Sequence, residues 1–190
     1  MKTKYFLLAL VLSSYTFGLK GQIQTINTAK SSVSWLGKKI TGQHEGTIKI
    51  KSGSLEIKNN KISSGNFVID MNTISCSDLE DAGYNQKLVG HLKSDDFFGV
   101  GKFPNAILKI NNSSTFLNNV ASVKGQITIK GKTEDISFNV TNEKNTYSAK
   151  IEIDRSKFNV RYGSTSFFDT LGDKAIDDIF TLNIKLLTNN

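Results

Sequence analysis

Residues 90–106, GHLKSDDFFGVGKFPNA, place one histidine, two adjacent aspartates and two adjacent phenylalanines in a single short stretch. His91 near a carboxylate is the raw material of acid–base chemistry or of a metal site. Phe97 and Phe98 beside charge suit the mouth of an apolar pocket. The acid–base reading is weak, because neighbouring residues on a helix do not face one another and Asp95 and Asp96 therefore make a poor acid/base pair. Ser94 followed by two acids has instead the composition of a helix start, with Ser94 as N-cap and the carboxylates at the positive end of the dipole. Gly99, Gly101 and Pro104 then break the helix and lead into a strand at Asn105.

The other histidine, His44, stands far away in TGQHEGT. A zinc site takes three or four ligands. His44, His91, Glu45, Asp95 and Cys76 have suitable chemistry, but no HxH or HExxH spacing ties them together, so no metal site is expected. A more modest role for the histidines is donation of hydrogen bonds to a polar head group. Arg155 and Arg161 are the only arginines among 24 basic residues, and the arginine fork suits phosphate. Tyr162, Ser164 and Ser166 add hydroxyls nearby. Ion pairs with Asp154, Asp169 or Asp173 are the competing use of the two arginines. The chain has no Gly-x-Ser-x-Gly elbow, phosphate loop or dinucleotide fingerprint. No catalytic residue is assigned, and an enzyme using His44, His91 and nearby carboxylates is the alternative to a binding protein.

The elements that would position these groups are strands. From Gln22 onward the dominant pattern is period-two alternation, the mark of strands with one buried face. Val33 and Trp35 alternate in SVSWL, Ile48 and Ile50 in GTIKIKSG, and Leu55 and Ile57 in SLEIK. Asn59–Asn60 then supplies a tight turn, since Asn tolerates positive φ. Phe67 and Ile69 follow, then Ala106, Leu108 and Ile110, then Val123, Ile127 and Ile129, then Ile136, Phe138 and Val140. Tyr147, Ala149, Ile151 and Ile153 alternate next, and Phe180, Leu182, Ile184 and Leu186 close the series. Helical period is confined to YNQKLVGHLK, where Leu88 and Leu92 share a face with Tyr84. Eight to ten evenly spaced strands argue for a sandwich or a closed barrel. With a single proline in the chain, closure is the better protection for sheet edges. The expected fold is all-β, an antiparallel eight-stranded barrel with one or two short helices. Such a barrel is either filled by side chains or holds one small ligand, and alternation alone does not choose.

The amino terminus reads as an export signal. Lys2 and Lys4 precede the apolar run from Tyr5 to Phe17, which is too short to span a bilayer. Cleavage suits Gly18 or Gly21. The second leaves a domain over 22–190 whose net charge, without Lys2, Lys4 and Lys20, drops from +7 to +4. No transmembrane anchor is expected after removal, and the destination is the periplasm or the exterior. Lysines scattered along alternating segments do not form the arginine-rich stripe of a nucleic-acid surface, so no nucleic-acid partner is expected. The single cysteine, Cys76, allows no intrachain disulfide, and the core must hold by packing.

Four segments in order carry a resemblance. GHLKSDDFFGVGKFPNAILKI is similar to the signature segment of the YceI-like family. WLGKKITGQHEGTIKIKSGSLEI resembles its first strands, VKGQITIKGKTEDISFNV its central hairpin, and IDRSKFNVRYGS with LGDKAIDDIFTLNIKLL its closing strands. The match runs from about Ile26 to Leu187. Two departures are Glu134–Asp135, where proline often follows the threonine, and Ile127, where leucine is commoner. The resemblance implies a lipocalin-like barrel that is hollow and holds an isoprenoid, a quinone or a fatty-acid-like lipid, with no other cofactor. The inward set that would line such a lumen is Trp35, Ile48, Ile50, Phe67, Ile69, Phe138, Tyr147, Ile151, Phe180 and Leu182, with Leu88, Leu92, Phe97 and Phe98 covering one end. His44, His91, Arg155, Arg161, Tyr162 and Ser164 are the head-group candidates. A ligandless scaffold or stress-related surface protein is the remaining alternative. No motif identifies the ligand or a protein partner.

Overall fold

The structure is a computed structural model and describes residues 21–189. Apart from Gly21, the expected export signal lies outside the described residues. The chain runs through β1 (Gln22–Thr25), β2 (Ser32–Lys39), β3 (Gly42–Lys58), β4 (Lys61–Cys76), α1 (Ala82–Lys93), β5 (Asn105–Ser113), β6 (Val120–Ile129), β7 (Lys132–Glu143), β8 (Thr146–Asp154) and β9 (Ile179–Leu187). Short 3-10 turns at Arg155–Phe158 and Gly172–Lys174 lie between β8 and β9.

Among the described residues, nine strands occupy eight places. β1 and β2 lie end to end on one edge of β3, against Ser54–Ile57 and Gly42–Ile48 respectively. The remaining strands follow in order, every pairing is antiparallel, and the β3–β4 pair closes the sheet into an eight-stranded barrel. The hairpins use the residues that tolerate positive φ: Asn59 and Asn60 at 52° and 56°, and Lys130 and Gly131 at 50° and 74°. These are the primed turns whose twist matches that of the flanking strands.

Alternation failed to show one feature. GTIKIKSG and SLEIK are halves of the single 17-residue strand β3, which carries register shifts against β4 between Thr47 and Lys49 and between Ile50 and Ser52. A bulge reverses which parity faces inward. The inward residues are therefore even-numbered up to Ile50 and odd-numbered from Gly53 onward. The matching irregularity in β4 covers residues 71–74, where Thr73 Oγ1 accepts a hydrogen bond from the Lys49 backbone N–H at 2.8 Å. It buries Ile74 and sets Cys76 opposite Gly46.

Two local expectations are corrected. Ser94 ends α1 rather than starting a helix. Its backbone N–H and its hydroxyl both donate to the His91 carbonyl, at 3.0 and 2.8 Å, and the true N-cap is Asp81, which accepts from the Tyr84 N–H at 2.8 Å. Asp95 then pairs with Lys102, and Gly99 turns at a φ of +58°. Tyr84 is 65% exposed, so the apolar face of α1 begins at Leu88. Among the described residues no helix is long and apolar enough to cross a membrane.

Gly46 marks where β2, β3 and β4 meet most closely. A Cβ there would overlap the Ser75 carbonyl oxygen and come within 2.8 Å of Trp35 Cζ2. The Trp35 indole N–H donates to that same carbonyl at 3.0 Å. Gly46→Ala is expected to cost about 2 kcal/mol, from backbone displacement plus loss of the indole hydrogen bond. That corresponds to a fall in Tm of roughly 4–8 °C. Trp35 is the sole tryptophan, so its fluorescence reports the local rearrangement directly.

Candidate functional site

The barrel encloses a continuous cavity of about 230 Å³. All fourteen residues expected to face a lumen line it, from Trp35 and Ile48 through Phe67, Ile69, Phe138 and Ile151 to Phe180 and Leu182. Met71, Ile74, Ala106, Leu108, Ile127 and Ala149 complete much of the wall. The wall extends along β3 from His44 to Leu55. At roughly 3.3 Å per residue and a strand tilt of about 40°, that is on the order of 25 Å along the axis. The space is therefore long and narrow.

One end is closed by apolar packing around Ile26, Val123 and Tyr147, with Phe116 beside them. Tyr147 is buried, and its hydroxyl donates to Gln24 Oε1 at 3.1 Å, which satisfies the polar tip. Burial raises the phenol above its ordinary value against that hydrogen bond. At the other end Leu92, Phe97 and Phe98 form a plug, with the rings of Phe97 and Phe98 5.2 Å apart and those of Phe98 and Phe180 6.2 Å apart. Here the lining turns polar at Lys38, Lys39, Gln43, His44, His91 and Asp177. Lys38, Lys39, Gln43 and Asp177 are exposed, which places the opening between the β2–β3 hairpin, α1 and the segment before β9.

The six head-group candidates separate. His44 and His91 line the cavity at this rim. The His91 ring meets Phe97 and Tyr162 edge-on, at 5.6 and 4.3 Å between centroids. Arg155 also reaches the wall but is 2% exposed and bound to four backbone carbonyls. Its Nε donates to the Asp177 carbonyl, its Nη1 to those of Val160 and Tyr162, and its Nη2 to that of Ile176, all within 3.0 Å. Its Nη2 also lies 3.3 Å from Asp178 Oδ1, as an ion pair. Burial pulls the guanidinium below its ordinary value and the neighbouring Asp178, Asp154 and Asp177 carboxylates oppose this. Arg155 is thus the clamp of the loop before β9, and its ion-pair partner is Asp178 rather than Asp154, Asp169 or Asp173. The other three candidates are not brought to the cavity. Arg161 is exposed, bonds Asn159 Oδ1 and lies over the Phe167 ring. Tyr162 is 48% exposed, and Ser164 is buried where its hydroxyl caps the Ser166 N–H.

Beside the rim the β3–β4 pairing assembles a group that spacing did not reveal. Asp78 Oδ2 accepts from His44 Nδ1 at 2.8 Å, and its Oδ1 accepts from the Glu45 backbone N–H at 2.9 Å and from the Cys76 thiol at 3.1 Å. Partial burial pushes the Asp78 carboxyl up, but the bonds from Glu45, His44 and Cys76 together outweigh it and hold the group at about 2. The carboxylate is therefore an acceptor only, and Nδ1 of His44 carries the proton. Burial and the Asp78 carboxylate raise the Cys76 thiol. The depressed Asp78 value implies stability that is fully present above the ordinary carboxylate range and is lost as pH falls from about 5 through about 2. Asp78→Asn is expected to flatten that acid limb and leave the neutral limb in place, measured by urea unfolding against pH in chelator. The Asp78 side chain is still 27% exposed, so screening keeps the effect small.

A YceI-like domain model matches residues 24–187. The structure of Burkholderia cenocepacia BcnA aligns at 26% identity and a TM-score of 0.68, covering 86% of this chain and 99% of that one. A polyisoprenoid binding domain from Saccharophagus degradans, implicated in plant cell wall breakdown, aligns at 13% identity and 0.58, covering 87% and 97%. The Campylobacter jejuni YceI protein aligns at 23% and 0.53, covering 74% and 83%. No curated protein matches the chain.

Proposed function

This chain belongs to the YceI-like domain family, and we propose from that premise that its barrel binds an elongated apolar molecule of the isoprenoid, quinone or fatty-acid class. The observation that carries the reading is the continuous apolar cavity, closed at the Tyr147 end and opening beside His44. The Saccharophagus degradans domain, which shares the fold, is named for binding polyisoprenoid. An interior of this size, apolar apart from its rim, Arg155 and Ser148, attracts apolar ligands, because each buried CH₂ contributes about 0.8 kcal/mol. The chain enters with its tail toward Tyr147, and a polar head remains at the rim with His44, His91, Lys38 and Gln43. Arg155, Arg161, Tyr162 and Ser164 take no part in holding the head. The protein acts by binding rather than by catalysis, after export to the periplasm or beyond the cell.

Native mass spectrometry of untagged protein, purified from the exported fraction without detergent, tests this directly. The expected result is a discrete mass excess that solvent extraction recovers as a lipid or isoprenoid. A bare polypeptide mass, unchanged after incubation with quinones and polyprenyl phosphates, would overturn the proposal.

A further inference from the structure

We propose that His44, Cys76 and Asp78 form a binding site for a thiophilic divalent cation, with Zn²⁺ as the fitting occupant. Each contributes a different donor, and one donor atom from each lies within 4.8 Å of the other two. Imidazole nitrogen, thiolate sulfur and carboxylate oxygen are the ligand types of zinc, whereas sulfur and nitrogen donors are foreign to calcium and magnesium.

The group is built by the strand pairing rather than by chance proximity of surface side chains. The register that sets Cys76 opposite Gly46 carries the chain past the end of β4 to place Asp78 beside His44. Backbone bonds hold both sides: the Glu45 N–H orients Asp78 Oδ1, and the Ser77 N–H donates to the Glu45 carbonyl, both at 2.9 Å. Asn85 on α1 fixes the intervening segment by donating to the carbonyls of Cys76 and Leu79 at 3.1 and 3.0 Å. Such outer bonds give ligands a preset orientation.

In the metal-free protein, two protons lie between the three side chains, one on His44 Nδ1 and one on the Cys76 sulfur. A divalent cation takes their place. The thiol loses its proton to solvent, and the imidazole proton moves to Nε2 so that Nδ1 can bind the metal. The balance is one cation in and one proton out. The three protein donors leave a fourth tetrahedral position open, at the rim of the cavity that His44 lines.

The test uses untagged, reduced and chelator-stripped protein titrated with Zn²⁺ and with Co²⁺. The expected result is one Zn²⁺ per chain, and a Co²⁺ spectrum with a thiolate-to-metal charge-transfer band and tetrahedral d–d absorption. Cys76→Ser should abolish the charge-transfer band and weaken Zn²⁺ by more than the about 100-fold that follows loss of an outer-shell partner. Glu80→Ala, an acid on the same segment outside the cluster, should leave both unchanged. If Cys76→Ser fails to fold, the wild-type protein decides: bound Zn²⁺ should slow reaction of Cys76 with a thiol reagent, and chelator should restore it. Absence of stoichiometric Zn²⁺, a Co²⁺ spectrum without thiolate character, or a thiol equally reactive with and without Zn²⁺ would overturn the assignment. Occupancy of the apolar cavity does not enter into any of these readings.

Discussion

Arg155→Ala is expected to remove about 3–5 kcal/mol of stability, the range found when one partner of a buried charge pair is deleted. The guanidinium is anchored at the start of the 155–178 connection and donates back to carbonyls at Val160, Tyr162, Ile176 and Asp177. Alanine would leave those acceptors without their donors and Asp178 without its counter-charge. It would also empty the space beneath Phe97, whose ring lies 5.4 Å from the guanidinium carbon. Each orphaned buried acceptor costs on the order of 1–3 kcal/mol, although relaxation of the loop toward water recovers part of the sum. Lysine should not rescue, because a point charge with three donors cannot replace a planar fork with five. Asp178→Asn should cost less, since it removes the counter-charge but leaves the four carbonyl bonds of Arg155 in place. Thermal unfolding measures the series, with a fall in Tm on the order of 10 °C for Arg155→Ala. If the alanine variant kept its stability and lost only ligand affinity, Arg155 would be a head-group residue after all.

That contrast marks the boundary of what can be read from the chain. The barrel was legible because one face of each strand repeats every second residue. The lumen set followed, since an inward face is inward whether the interior is filled or hollow. β3 shows why the reading could have failed: its bulge after Ile50 moves the inward parity from even to odd. Ile48–Ile50 and Leu55–Ile57 lie on opposite sides of that bulge, so each short run keeps its own inward parity. The polar groups were harder. Arginine beside hydroxyls signals phosphate binding and loop clamping equally well, and only the four carbonyls converging on Arg155 separate the two. Ser94 followed by acids has the composition of an N-cap, yet α1 has already started at Asp81 and ends there. The His44–Cys76–Asp78 group spans 34 positions with no motif, because the β3–β4 register, and not sequence spacing, brings it together.

Ala106→Phe and Ala149→Phe should each lower affinity for a long-chain ligand by about 1000-fold while leaving the barrel as stable as before or more so. Both alanines line the cavity, Ala106 at the start of β5 near the plugged end and Ala149 deeper on β8. A phenyl ring added at either place occupies room that about five methylenes of a bound chain would take. At about 0.8 kcal/mol each, their exclusion costs the complex ~4 kcal/mol, which is about 1000-fold in Kd. The sign of the accompanying stability change separates a hollow barrel from a packed one. Inserting bulk into a filled core costs typically about 1–3 kcal/mol, whereas filling a void adds about 0.5–2 kcal/mol. The two depths also differ in what they exclude. The Ala149→Phe variant blocks the tail of a long ligand and should spare short chains. The Ala106→Phe variant obstructs the passage nearer the rim and should exclude short and long chains alike. Fluorescence displacement of a series of saturated chains of increasing length, read beside urea unfolding of the ligand-free variants, measures both. Loss of stability in both variants with no loss of binding would mean that the apolar interior is core and that any ligand lies elsewhere.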